Sequence, residues 1–306
     1  MTAYLARRLA AAAAVLLALL LFGFLATHYI GDPVAFLVDP EYSTPEEIAR
    51  FREEGGFNRP VWVQLGDFMA GAIRGDFGTS VYHNRPSREV VLERVPRTLQ
   101  LGAAAFAVTF LVAVPLAAIS ARGRGNAVTL GIVGTTTLFA SVPGFFVALG
   151  LIYIFAVQLS WVPTSGYGWW PEMVLPVVAL ALAPIGRYTQ VLEQAIGREL
   201  TQQYVATARS KGLSERTIMR RHVFRNAGLV GLTLVSAEVI TLLNGFVLIE
   251  QIFAWPGVGQ VLLEAVVRRD LPVVMAGVVY VGVIVVAINI LVDVAYALVD
   301  PRVRLG

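Results

Sequence analysis

The amino-acid sequence predicts an all-α integral membrane protein with six transmembrane helices, and three observations carry that prediction. Hydrophobic residues make up 57% of the 306 positions and charged residues only 15%, where a soluble domain carries about 25% charged. The apolar residues gather in runs that reach the roughly 20 residues needed to cross a bilayer. Between the fourth and fifth runs lies a charged island, Gly197–Asn226, with seven cations (Arg198, Arg209, Lys211, Arg216, Arg220, Arg221 and Arg225) against two acids, Glu199 and Glu215.

The elements follow in order. Leu9–Ala26 is uncharged and forms the first span, closing an N-terminal region of residues 1–30. The alternative is a cleaved signal peptide behind Arg7-Arg8. Its apolar core of about 18 residues would exceed the usual 7–15, and no small-x-small site follows before His28. Residues 31–97 make a separate, polar segment. Ser43/Thr44 ahead of Pro45-Glu46-Glu47 is a helix start, with a helix through Phe51 and a stop at Gly55-Gly56. Phe57–Ile73, with Trp62, Leu65, Phe68 and Met69, predicts a second amphipathic helix lying against the bilayer or a pore mouth. The remaining spans are expected at about 98–121, 127–158, 173–193, 228–252 and 271–298, leaving a short tail, 301–306. Asn126–Trp170 is uncharged throughout, long enough for a span and an apolar loop; Arg187 alone interrupts Met173–Leu192 and Glu238 alone Ala227–Ile249. Pro115, Pro143, Pro176 and Pro184 are expected to kink spans. Trp161, Trp169, Trp170 and Trp255 flank span ends and read as interfacial anchors rather than a ligand cage.

Basic residues orient the spans. Arg7 and Arg8, Arg122 and Arg124, the island, and Arg302 and Arg304 share one side only if both termini face the cytoplasm. Residues 31–97 then lie outside, with eight Arg against eleven acids. No basic stripe interleaved with aromatics points to nucleic acid. The absence of cysteine excludes disulfides and thiolate metal sites. His28, His83 and His222 are far apart, and no HExxH, Ser–His–Asp order or other metal-ligand spacing occurs, so no catalytic or metal site is expected.

Within the island, Leu200, Tyr204 and Ala208 recur at four-residue spacing with Val205 beside them, one apolar stripe of a short helix. Arg209 and Lys211 fall in its last turn, where cations suit the helix dipole. Gly212 stands where a left-handed stop is wanted, Leu213 can supply the apolar contact that follows it, and Ser214 caps a second helix, Glu215–Arg225. Such a helix–glycine–helix elbow is either a handle for a soluble partner or an interfacial helix resting on anionic lipid. Inside the spans, Arg187, Glu238 and Asp293 are costly ionisable groups, and Asn244 is a weaker case. They serve helix–helix hydrogen bonding, a substrate path or an interface with another subunit. Glu250, near the end of span 5, is expected to be wet.

The run Tyr204-Val205-Ala206-Thr207-Ala208-Arg209-Ser210-Lys211-Gly212-Leu213-Ser214 resembles the "EAA" loop of ABC-importer permeases, as it reads in their dipeptide/oligopeptide/nickel branch. Six further matches fall in the branch's order: Gly75-Asp76-Phe77-Gly78-Thr79-Ser80, Glu93-Arg94-Val95-Pro96-Arg97-Thr98-Leu99, Ser141-Val142-Pro143-Gly144-Phe145, Phe253-Ala254-Trp255-Pro256-Gly257-Val258-Gly259, Arg269-Asp270-Leu271-Pro272-Val273-Val274 and Ala297-Leu298-Val299-Asp300-Pro301-Arg302-Val303-Arg304. Together they span essentially the whole chain, and the long segment between spans 1 and 2 resembles the B-type subunit. The loop departs from its eponymous pattern: Ala206, Thr207 and Ala208 stand where Glu-Ala-Ala would, so no acid contact carries over to position 206.

The resemblance implies a type I importer transmembrane domain over 98–300, with a cytoplasmic coupling loop at 194–226, in a bacterial inner membrane. It implies a second related permease, two cytoplasmic ABC ATPase subunits or domains, and an extracytoplasmic solute-binding protein. Residues 31–97 would help to receive that protein or contact the second permease, the alternative being a solvated cap on the chain's own spans. Coupling would rest on Tyr204, Ala208, Gly212 and Leu213, with Arg209 and Lys211 as polar contacts at the rim and Ser214 also among the coupling residues. A P-loop needs Gly-Lys followed by Ser or Thr, yet the only lysine, Lys211, precedes Gly212. ATP and magnesium would therefore be bound by the partners, and this chain is expected to hold no cofactor and to be no enzyme. Peptides are the first expectation for cargo, with nickel chelates, glutathione or another small solute as alternatives. The rivals of a different class are an ion-gradient-driven transporter working through Glu238 and Asp293, a channel, and a scaffold without a pore.

Overall fold

In a computed structural model, residues 2–29, 44–54, 58–123 and 125–299 are described; the side chains of residues 232–244 and of Asp293 are among the helical ones outside that description. The described chain is helical: α1 Thr2–Tyr29, α2 Pro45–Glu54, α3 Val61–Ile73, α4 Ser87–Leu92, α5 Val95–Arg122, α6 Ala127–Ser141, α7 Gly144–Leu151, α8 Val174–Leu200, α9 Gln203–Ser210, α10 Glu215–Ile218, α11 Phe224–Ile252, α12 Val258–Val267 and α13 Leu271–Val299. Two π-helical turns, Ile152–Gln158 and Met219–Val223, extend α7 and join α10 to α11.

By length and composition α1, α5 with the preceding α4, α8 and α13 can each cross a membrane, and a fifth crossing results if the bent pair α6–α7 counts as one span. The remaining expected span, the fifth at 228–252, corresponds to α11, a 29-residue helix whose central side chains, Glu238 and Asn244 included, lie outside the described residues. The third expected span, 127–158, is not one rod. It breaks into two helices at an angle of 102°. Val142 is extended (φ −88°, ψ 127°) and Pro143 follows at φ −59°. A proline has no N–H for the ladder and pushes its predecessor out of the helical region, so the expected kink becomes a corner. Pro115 and Pro184, by contrast, sit inside α5 and α8.

The chain divides into two compact units. The first comprises residues 1–97 and 256–287. Its helix α2 opens on a reciprocal cap: Thr44 N donates to Glu47 Oε2 at 2.9 Å and Glu47 N to Thr44 Oγ1 at 3.3 Å. Helix α3 starts at Val61, later than the pattern predicts, because Pro60 occupies the cap. Phe68 and Met69 pack against a core built around Phe77, Val91, Val258, Val261, Val273 and Ala276. Ser80 Oγ donates to the buried Asp270 at 2.5 Å across 190 residues of sequence.

The second unit comprises residues 98–255 and 288–306. Leu101, Leu175, Leu180, Phe246, Phe253 and Trp255 form one core within it. A second core joins Ala113, Ala117 and Ala121 of α5 to Tyr188, Leu192 and Ile196 of α8 and to the charged island. Helices α6 and α8 meet closely at Gly186, where a Cβ would lie 2.3 Å from the carbonyl oxygen of Thr136.

Two expectations are corrected here. Trp255 is fully buried rather than an interfacial anchor. Ala254 turns left-handed (φ 48°), Trp255 N bonds the carbonyl of Glu250 at 2.8 Å, and the indole lands edge-on against Tyr167 at 5.0 Å. The same turn covers Glu250, which is 0% exposed instead of wet and accepts from Thr98 Oγ1 at 2.6 Å. Trp161, Trp169 and Trp170 remain exposed.

Candidate functional site

The charged island folds into an elbow on the second core. Helix α9 runs from Gln203 to Ser210 and stops at Gly212, whose φ is +75°. Two backbone bonds close the stop: Leu213 N to Ala208 O at 3.2 Å and Gly212 N to Arg209 O at 2.9 Å. This pair is the Schellman arrangement, which needs a left-handed residue at its centre and so favours glycine. Ser214 then caps α10, its Oγ accepting from Thr217 N at 3.4 Å. Arg209 reaches across the turn to Glu215, with Nε–Oε1 at 2.6 Å and a second contact, Nη2–Oε2, at 3.3 Å. The hydrogen bond from Arg209 holds the Glu215 carboxyl below its ordinary range, and Glu215 in turn raises the guanidinium. Both groups are exposed, so the pair orients the elbow more than it stabilises the fold.

The apolar stripe faces the protein, not lipid. Val205 is 0% and Ala208 5% exposed, packed with Ile196, Ile218, Met219 and Val223. Tyr204 is half-buried at the same level. Its hydroxyl donates to Glu199 at the end of α8, and Asn226 Nδ2, at the start of α11, donates to Tyr204 Oη at 3.1 Å and to Glu199 Oε2 at 3.4 Å. Burial first, then the bond to Glu199, raises the phenol above its usual range. Three helices thus share one polar clasp beside an apolar floor.

The predicted coupling residues therefore divide. Tyr204 and Ala208 turn inward, while Arg209, Lys211, Gly212, Leu213 and Ser214 face outward with Gln203, Ala206, Thr207 and Ser210. Leu213 is 39% exposed and joins none of the cores. The clasp partners Glu199 and Asn226 are functional candidates that the sequence reading missed, since neither lies on the helix bearing the motif.

Of the polar residues inside spans, Arg187 borders a cleft of about 310 Å³ between Pro143, Phe145, Ala183, Pro184 and Leu248. The side chains of Glu238, Asn244 and Asp293 are outside the described residues. Among the described residues no group of His, Asp or Glu could hold a metal ion.

The sequence profile described as binding-protein-dependent transport system inner membrane component matches residues 113–305, and that of the N-terminal part of such membrane components matches residues 1–102. A Brucella abortus protein carrying the name of a peptide transport system permease is 38% identical over 314 residues, covering 99% of both chains. The oligopeptide transport system permease AppB of Bacillus subtilis is 32% identical, covering 99% of this chain and 100% of AppB. The glutathione transport system permease GsiC of Salmonella choleraesuis is 33% identical over 98% of each. Among solved structures, a chain of the inward-facing MetNI methionine ABC transporter matches with a TM-score of 0.56 over 69% of this chain and 96% of its own, at 16% identity. A chain of an amino acid ABC transporter gives 0.52 over 70% and 94%, at 15% identity. At those identities the likeness is one of fold, that of ABC-importer transmembrane subunits.

Proposed function

The chain belongs to the family of binding-protein-dependent transport system inner membrane components, and on that premise we propose that it forms, with a second related permease, the membrane path of a peptide importer. A solute-binding protein delivers the peptide on the outer side, and separate ATPase subunits on the cytoplasmic side bind ATP and magnesium. Both termini face the cytoplasm. Peptides are favoured because the relatives named for peptide transport match across 99% of this chain. Glutathione, itself a short peptide, is the second reading, favoured by the likeness to GsiC.

The observation that carries the coupling role is the two-sided burial of α9. One side is fixed on the chain's own core by Val205, Ala208 and the Tyr204 clasp. The other exposes a short polar face. A partner that grips the exposed face moves the ends of α8 and α11 with it, because all three helices share the clasp. Nucleotide binding elsewhere then biases a rigid-body switch between two states of the path. Leu213 is the apolar anchor of that face, and Arg209 and Lys211 form its charged rim.

The sequence contains no cysteine, so single introduced cysteines are unambiguous probes. Ser210→Cys on the exposed face is expected to cross-link to the ATPase subunit in the assembled complex, and Ala208→Cys on the buried face is not. Equal cross-linking from both positions, or none from Ser210→Cys, would refute docking through this face.

A further inference from the structure

The lipid-binding alternative for the island fails at α9, whose apolar stripe is buried on protein, but the segment after the elbow carries a different face. From α10 through the π-helical turn into α11, Ile218, Met219, Val223 and Ala227 are buried, at 2% exposure or less. On the opposite side Arg216, Arg220, Arg221 and Arg225 are all exposed. Among the described residues none of the four has an ion-pair partner: the only acids of the island are engaged, Glu215 by Arg209 and Glu199 by Tyr204 and Asn226. Helix α10, the π-helical turn at Met219–Val223 and α11 follow one another without a break, so the four exposed arginines lie along one continuous helical segment.

The apolar run of α11 begins at Ala227. At about 1.5 Å per residue, Arg225 stands roughly 3 Å, and Arg221 and Arg220 roughly 9–10 Å, before that edge. The polar layer of one leaflet is about 5–8 Å deep, and arginine stems can lie along apolar surface while the guanidinium reaches phosphate. Arg216, roughly 16 Å away, lies beyond that layer. The geometry points to Arg220, Arg221 and Arg225 as a clamp for the phosphate of an anionic phospholipid, distinct from the face of α9 that docks a protein. The assignment rests only on α11 entering the bilayer, and holds whichever side the elbow faces.

The test is titration of the purified full chain, in neutral detergent, with fluorescent phosphatidylglycerol and, separately, phosphatidylcholine. Wild type is expected to prefer phosphatidylglycerol. The variant Arg220→Gln/Arg221→Gln/Arg225→Gln should lose that preference by on the order of a hundredfold, near fivefold per arginine. Arg209→Gln/Lys211→Gln should keep it. The charge-preserving Arg220→Lys/Arg221→Lys/Arg225→Lys, as a folding control, should retain most of it. An undiminished preference in the triple Gln variant overturns the clamp, as does an equal loss in Arg209→Gln/Lys211→Gln. Retained lipid preference with lost ATPase co-purification in the triple Gln variant also overturns it and makes this face a protein-docking surface. Failure of the Ser210→Cys cross-link leaves these outcomes unchanged, so the two readings fall separately.

Discussion

Gly212→Val is expected to leave the chain inserted in the membrane and to abolish stimulation of ATP hydrolysis in the assembled complex. At φ +75° glycine is at ease, whereas a residue with a Cβ is disfavoured by roughly 1–2 kcal/mol, and a β-branched one by more. No atom lies within 4 Å of where the Cβ would stand, so the penalty is one of backbone conformation and not of collision. Relief requires a negative φ. That change breaks the bonds from Leu213 to Ala208 and from Gly212 to Arg209 and swings Glu215 away from Arg209. The spans are untouched because the turn is on the surface. Gly212→Asn, which tolerates the left-handed region, should keep coupling. Comparable ATPase stimulation in Gly212→Val and wild type would show that the elbow is not the contact.

Gly186→Ala is expected to destabilise the second unit by about 1–3 kcal/mol, the usual cost of overpacking, with Gly186→Leu worse. The added Cβ would meet Thr136 O at 2.3 Å and Ala140 N at 2.9 Å. Both are backbone atoms, so no rotamer change relieves the clash and α6 must move off α8. Gly134→Ala, in the same α6, has nothing within 4 Å and should be neutral or stabilising, because glycine inside a helix costs about 0.5–1 kcal/mol relative to alanine. Thermal midpoints of the two variants in one detergent would check this. A Gly186→Ala protein as stable as wild type would mean that α6 and α8 are not in close contact.

Much of the local structure was legible because its causes are local. Thr44 and Glu47 cap each other three residues apart, and the stop at Gly212 and the cap at Ser214 needed only the neighbouring residues. What depended on tertiary placement was not legible. The stripe of Tyr204, Val205 and Ala208 is the same signal whether it faces lipid, a partner or its own core, and only the positions of α5 and α8 decide it. Ser80 and Asp270 lie in two separate motifs, yet nothing in either motif marks them as partners 190 residues apart. Trp255 and Glu250 looked peripheral because they sit at the end of an apolar run. One left-handed residue, Ala254, turns the chain so that Trp255 N bonds back to the Glu250 carbonyl, and both side chains are buried. The corner at Val142-Pro143 shows the same limit: a proline predicts a break, but the 102° angle is set by what the two helices pack against.

The most direct measurement is uptake of a labelled oligopeptide into proteoliposomes containing this chain, its companion permease and the ATPase subunits, with the solute-binding protein on the delivery side. Uptake that requires ATP and the binding protein, and that vanishes when the ATPase subunits are omitted, is the expected result. Uptake by this chain alone, driven by a proton gradient and indifferent to ATP, would contradict it.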